Sequence, residues 1–212
     1  MIKTVFFDLD GVIIDSEPIH AKAKKLTLDI YGISYPYSIF DDFIGKTDES
    51  FFRFVIDKAK VHDFSFELLL QKKNDLFIKL LPEMKLVDGF LPFFQNLKNR
   101  GLQIALVSST STYTFGLIDK YFNIAHLFDL LVTEKDTVNH KPHPEPYIKA
   151  LETLPALIES TIVIEDSPNG ILSAKQAGCK VFALTTSFKV EDLAKADEIF
   201  NSYDEIAQKL MF

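Results

Sequence analysis

The sequence predicts an α/β chain: a parallel sheet with helices on both faces, interrupted once by a purely helical insertion. Three observations carry this. Short runs rich in β-branched and aromatic residues recur and are apolar throughout, as strands buried on both faces must be. Between them lie segments with helical spacing that stop on a glycine, the residue favoured just past a helix end. From about residue 16 to 81 the strand pattern disappears and only helical spacing remains.

Taken in order, the first strand spans Ile2 to Phe7. The insertion holds three helices, around His20 to Ile30, Glu49 to Lys60 and Glu67 to Leu81. Phe51, Phe54 and Val55 are expected to form the apolar face of the second, and Leu69, Leu76, Ile78 and Leu80 that of the third. Pro82 and the Val87-Asp88-Gly89 turn mark the return to the sheet. A helix carrying Leu91, Phe94, Leu97 and Lys98 ends at Arg100-Gly101, and one carrying Ile171, Ala174 and Ala177 ends at Gly178. Strands are expected at Gln103 to Val107, Leu130 to Thr133, Thr161 to Ile164, Lys180 to Leu184 and, on a weaker pattern, Glu198 to Phe200. Such alternation is the signature of parallel strands joined by right-handed crossovers.

Composition narrows the classes. With 212 residues and 47% hydrophobic content there is material for a substantial interior, and 20 Phe with no Trp point to an aromatic-rich core. A net charge of -7 and a pI near 5.2 disfavour duplex binding, which depends on clustered Lys and Arg. The single cysteine, Cys179, cannot form an internal disulfide, and its apolar surroundings in sequence mark it as a small buried hydrophobe. No apolar run approaches the roughly 20 residues that span a bilayer. The N-terminus runs straight into a strand without the regions of a signal peptide. A cytoplasmic protein with no membrane partner is the expectation.

Polar residues interrupt this pattern at particular places. In Val5-Phe6-Phe7-Asp8-Leu9-Asp10-Gly11, two carboxylates follow a run fit for the centre of a sheet. Ile104 to Val107 ends in Ser108-Ser109-Thr110, and Thr161 to Ile164 ends in Glu165-Asp166-Ser167. The carboxyl ends of parallel strands share one edge, where ligands bind, so Asp8, Asp10, Ser108, Glu165 and Asp166 are expected to converge. Each has a plainer reading alone: Asp10-Gly11 as a turn, Ser108 to Ser111 as a cap, Asp166-Ser167-Pro168 as a helix start. Four carboxylates at one edge are harder to explain as turns. They would repel one another, and a hard divalent ion such as Mg²⁺, bound through oxygens, resolves the repulsion. Zinc is disfavoured, because His140 and His143 have no cysteine at ligand spacing. Lys141, in Asn139-His140-Lys141-Pro142-His143-Pro144, is either a solvated lysine or the cation that balances the acids and holds a phosphoryl oxygen, with Ser108 as a donor.

These residues together resemble the signatures of the haloacid-dehalogenase-like hydrolases over essentially the whole chain. The four signatures are Asp8-Leu9-Asp10-Gly11-Val12, Val107-Ser108-Ser109, Lys141-Pro142 and Glu165-Asp166-Ser167-Pro168-Asn169-Gly170. The resemblance implies a Rossmann-like catalytic core over residues 1–15 and 83–212 and a helical cap domain over residues 16–82. It further implies an aspartyl-phosphate mechanism with Asp8 as nucleophile and Asp10 as general acid and base. Mg²⁺ would sit on the Asp8 side chain, the Asp10 backbone carbonyl and Asp166, with Glu165 nearby, while Ser108, Ser109 and Lys141 bind the phosphoryl group. The dehalogenases of the family lack an aspartate at the position of Asp10, so the resemblance with Asp10 present favours phosphoryl transfer.

Within the family, the chain is similar to the β-phosphoglucomutase and sugar-phosphatase branch. Asp15-Ser16-Glu17-Pro18-Ile19-His20 would be the hinge into the cap, with His20 either facing substrate or facing solvent on the first cap helix. Lys73-Asn74-Asp75 is similar to the stretch bearing the mutase's cap lysine, which holds a second phosphate. Asp48 stands where the mutase has a phosphate-binding arginine, reversing the charge, and Lys46 is the nearby replacement. The expectation is therefore a Mg²⁺-dependent phosphatase acting on a small phosphorylated metabolite such as a sugar phosphate, with a mutase as the alternative. A phospho-receiver switch shares the same residue types, but its acidic pair ends the first strand and its nucleophile comes later, and it lacks a helical insertion.

Overall fold

The computed structural model describes residues 1–33, 35, 39–40, 43, 47–59 and 65–211. Its elements in order are β1 (Thr4–Phe7), β2 (Ile14–Asp15), α1 (Glu17–Ile30), α2 (Asp48–Ala59), α3 (Phe66–Leu80), β3 (Lys85–Leu86), α4 (Phe90–Asn99) and β4 (Gln103–Val107). They continue as α5 (Thr112–Phe122), β5 (Leu130–Val132), α6 (Glu145–Thr153), β6 (Thr161–Glu165), α7 (Pro168–Gln176), β7 (Lys180–Leu184), β8 (Glu198–Phe200) and α8 (Tyr203–Lys209). The chain divides into two compact units, Met1–Asp15 with Lys85–Phe212, and Ser16–Met84.

The first unit is an α/β layer structure with a six-stranded sheet ordered β5-β4-β1-β6-β7-β8, parallel at each pairing. β1 lies at its centre, with Phe7 in register with Leu106 of β4 and Ile164 of β6. Alternation along β1 sends successive side chains to opposite faces. Phe7 packs edge-on against Phe90 and Phe93 of α4, and Tyr203 of α8 completes this aromatic layer. Phe6 joins the other layer, with Tyr147 and Ala150 of α6 and Ile171 and Ala174 of α7. Each Phe or Ile side chain among these contributes roughly 1.5–3 kcal/mol by leaving water. A two-residue antiparallel ladder of β2 with β3, which the sequence reading did not include, joins the segments where the chain leaves and re-enters this unit.

The second unit is helical among its described residues, with a core that includes Leu28, Phe51, Phe52 and Val55. Its helices lie where the spacing predicts, but their faces are rotated. In α2 Phe52 is buried and Phe54 is exposed; in α3 the buried residues are Leu69, Lys73, Phe77 and Leu80. In α4, likewise, Leu91 is exposed and Phe90, Phe93, Phe94 and Leu97 are buried. Consecutive apolar residues such as Phe51-Phe52 or Phe93-Phe94 leave the orientation of a helix to its neighbours. Cys179 is buried, as expected. Among the described residues no helix is long and apolar enough to cross a membrane.

Candidate active site

The site of the first unit is built on backbone ladders that run past the strand ends. The Asp8 N–H donates to Ile164 O at 3.0 Å, and the Ser108 N–H to Val132 O at 2.9 Å. Asp8 and Ser108 are thereby fixed as rigidly as the strands they follow. Between β1 and β2 the chain turns sharply, with Gly11 N–H donating to Ile14 O at 2.7 Å and Gly11 at φ +69°. A Cβ at Gly11 would lie 1.8 Å from Asp166 Oδ2, so glycine is required by both its conformation and this approach. Gly170 is required by approach alone: a Cβ there would meet Glu165 Oε1 at 1.8 Å.

Lys141 reaches from the loop after β5 into the acids. Its Nζ donates to Asp8 Oδ1 at 2.5 Å, Glu165 Oε1 at 2.7 Å and Val107 O at 2.8 Å. Three acceptors thus use all three ammonium protons, and a phosphoryl oxygen bound by Lys141 would replace one of them. Burial alone would lower its proton affinity, but Asp8 and Glu165 outweigh burial and hold it above the ordinary lysine value. The solvated-lysine reading does not hold, since the side chain is buried within the cluster.

Carboxylate oxygens of Asp8, Glu165 and Asp166 lie within 4.8 Å of one another, all three residues buried. One ammonium does not balance three such acids. Burial, with Glu165 and Asp10 adding to it against the pull of Lys141, pushes the Asp8 carboxyl up to about 7. Burial and the charges of Glu165 and Asp8 raise Asp166 well above its ordinary value. An all-oxygen, buried, electron-rich donor set suits a hard divalent cation, so these residues fit such an ion. Glu165 belongs to the trio by distance, yet both its oxygens are engaged. Oε1 accepts from Lys141 and Tyr147, and Oε2 from the N–H groups of Asp166 and Ser167 and from Ser167 Oγ. Asp8, which accepts from Lys141, and Asp166, which accepts from Ser187, carry fewer such bonds than Glu165 and would be the freer ligands.

Asp10 stands outside the trio on its side chain, where Oδ2 accepts from Thr110 Oγ1 at 2.7 Å. Thr110 N–H in turn donates to Ser108 Oγ at 3.0 Å. Ser108 is buried, Ser109 exposed, and Ser111 caps α5 by accepting from Thr114 N–H. The Ser-Ser-Thr-Ser run therefore divides its labour. The sequence reading missed Thr110, although its place three residues past β4 offered a signal, and missed Tyr147, which nothing in sequence separates from an ordinary core tyrosine.

In the helical unit, Lys73 Nζ lies 2.6 Å from Asp48 Oδ2 and 2.9 Å from His20 Nδ1. Lys24, absent from the sequence reading, is buried with Nζ 3.6 Å from Asp48 Oδ1. The spacing from His20 to Lys24 is one helical turn, a signal that was available. His20 stacks on Phe77 with ring centroids 4.3 Å apart, which corrects the reading of a solvent-facing residue. Burial and then the Lys73 charge pull the His20 imidazole down to about 3. His20 is accordingly expected to show no protonation step between about pH 5 and pH 8 in an NMR titration of its ring nitrogens; a midpoint near the usual 6.5 would contradict the packing. Lys46 lies outside the described residues.

Comparison with known proteins finds relatives over most of the chain. Residues 5–184 match the family model described as haloacid dehalogenase-like hydrolase. Pyrophosphatase PpaX of Bacillus mycoides is 31% identical, the alignment covering 89% of this chain and 86% of that one. A phosphorylated carbohydrates phosphatase of Thermotoga maritima is 27% identical, covering 97% of this chain and all of the relative. A crystal structure described as a candidate β-phosphoglucomutase from Thermotoga maritima superposes with a TM-score of 0.86 at 25% identity, covering 99% of both chains. With the family model matching residues 5–184, a span that includes the acids and the lysine loop, the chain belongs to the haloacid dehalogenase-like hydrolases.

Proposed function

We propose that this protein is a Mg²⁺-dependent phosphatase that releases phosphate from a small phosphorylated metabolite, such as a sugar phosphate, through an aspartyl-phosphate on Asp8. The observation that carries this is Asp8 at the end of the central strand, paired with Lys141, with a second acid two residues on whose carboxylate is held by Thr110. In the first step an Asp8 oxygen bonds to phosphorus while the bond to the leaving oxygen breaks and Asp10 gives that oxygen its proton. In the second, water bonds to phosphorus, Asp10 takes its proton, and the bond to Asp8 breaks. Lys141 and Ser108 orient the phosphoryl group, with Ser109 at the exposed rim. Asp8, Asp166 and the Asp10 backbone carbonyl would hold Mg²⁺, with Glu165 beside them, and the ion would supply charge neutralisation for the transferring group.

The helical unit would serve as the cap that selects the metabolite, with His20, Lys73 and Lys46 as its candidate contacts. Asp48 favours hydrolysis over mutase chemistry. Burial pushes its carboxyl up, but Lys73 and Lys24 outweigh that and keep it ionised, so the Lys73 ammonium is already paired. A mutase remains the second reading because of the structural likeness to a candidate β-phosphoglucomutase.

A screen of phosphorylated metabolites in Mg²⁺, scored for both free phosphate and isomerised product, tests the proposal. Steady phosphate release from small monophosphates is expected. Isomerisation without release would transfer the chain to the mutases, and a stable phosphoprotein without turnover would mark a switch.

A further inference from the structure

Tyr147 has no part in the chemistry above, yet it is fully buried beneath it on the first turn of α6. Its hydroxyl donates to Glu165 Oε1 at 2.7 Å, and its ring centroid lies 4.9 Å from Lys141 Nζ. Glu165 Oε1 thus accepts from a neutral phenol and from the ammonium at the same distance, 2.7 Å each. Glu165 has 0% exposure, so bulk solvent does not compete with either donor. A continuous chain results: Tyr147 to Glu165, Glu165 to Lys141, Lys141 to Asp8.

We propose that Tyr147 is a positioning residue, which by donating to Glu165 Oε1 weakens the grip of Glu165 on Lys141 and leaves the ammonium available to Asp8 and the phosphoryl group. The inference rests on the phosphatase reading. Lys141 has three protons and three acceptors, so it binds a phosphoryl oxygen only by releasing one partner. A carboxylate oxygen that already accepts a strong hydrogen bond attracts a competing cation less, because part of its charge is satisfied. Without the phenol, Lys141 becomes the sole donor to that buried oxygen and the pair tightens. A phenol is protonated at neutral pH on its ordinary value, so its hydroxyl is available there as a donor.

Tyr147→Phe keeps the ring, its packing and its face toward Lys141, and deletes only the hydroxyl. Calorimetric titration with inorganic phosphate in the presence of Mg²⁺, and with Mg²⁺ alone, reads the effect without turnover. Phosphate affinity is expected to fall about tenfold, the scale of one hydrogen bond to a charged group, while Mg²⁺ affinity stays within about twofold. In a Glu165→Gln background the same substitution should change phosphate affinity less than about twofold, because the carboxylate charge that competes for Lys141 is gone. A purely structural role would give an additive loss in both backgrounds. Unchanged phosphate affinity in Tyr147→Phe, or an equal loss in the two backgrounds, overturns the inference while leaving the phosphatase reading intact. A wild-type protein that takes up no phosphate in Mg²⁺ defeats that reading and this inference together.

Discussion

Asp8→Asn is expected to reduce phosphate release by at least about 10⁴-fold while the chain remains folded, as measured by turnover beside circular dichroism. The amide preserves shape and polar atoms at the end of β1 but carries no charge with which to attack phosphorus. Its effect on stability should run opposite to that of most buried substitutions. Asp8, Glu165 and Asp166 face a single ammonium, and burial makes each charge costly. Neutralising one of them relieves repulsion, so the thermal midpoint of the metal-free variant should equal or exceed that of the metal-free parent. Turnover above about 1% of the parent would remove Asp8 from the nucleophile's place.

Chelation with EDTA is expected to abolish turnover and Mg²⁺ to restore it, with a matching signature in stability. Asp8 is raised from 3.8 to about 7 in the folded chain, and Asp166 is raised as well. The folded metal-free protein therefore binds more protons than the unfolded chain, and its stability falls as pH rises across that interval. A divalent cation takes the place of those protons, so saturating Mg²⁺ above pH 7 should raise the midpoint by about 5–10 °C for a chain of this size. Metal-independent turnover, or a midpoint indifferent to Mg²⁺ at high pH, would count against the metal site.

Much of the fold was legible from residue order because buried parallel strands are short, apolar and punctuated. Gln103–Val107, Lys180–Leu184 and Glu198–Phe200 coincide with β4, β7 and β8. Helix faces were less legible. Phe51-Phe52 and Phe93-Phe94 offer two orientations of similar apolar content, and tertiary neighbours choose between them. Lys73 illustrates the cost: the lysine singled out for its chemistry also lies on the buried stripe of α3, four residues after Leu69 and four before Phe77. A buried lysine is tolerated there because Asp48, from another helix, pairs with it.

Residue types at strand ends were enough to nominate Asp8, Asp10, Ser108, Glu165 and Asp166, since parallel strands must deliver their carboxyl ends to one edge; Lys141, in a loop well past β5, was left between two readings until the family resemblance chose one. Partnership was decided only in three dimensions. That Lys141 spends its protons on Asp8, Glu165 and Val107, that Thr110 holds Asp10, and that Tyr147 lies under the cluster all depend on side chains far apart in sequence. Periodicity reports which side of an element meets the core, a local property of the chain. Hydrogen-bond choice depends on distances of a few tenths of an ångström between elements, and only the packed structure sets those.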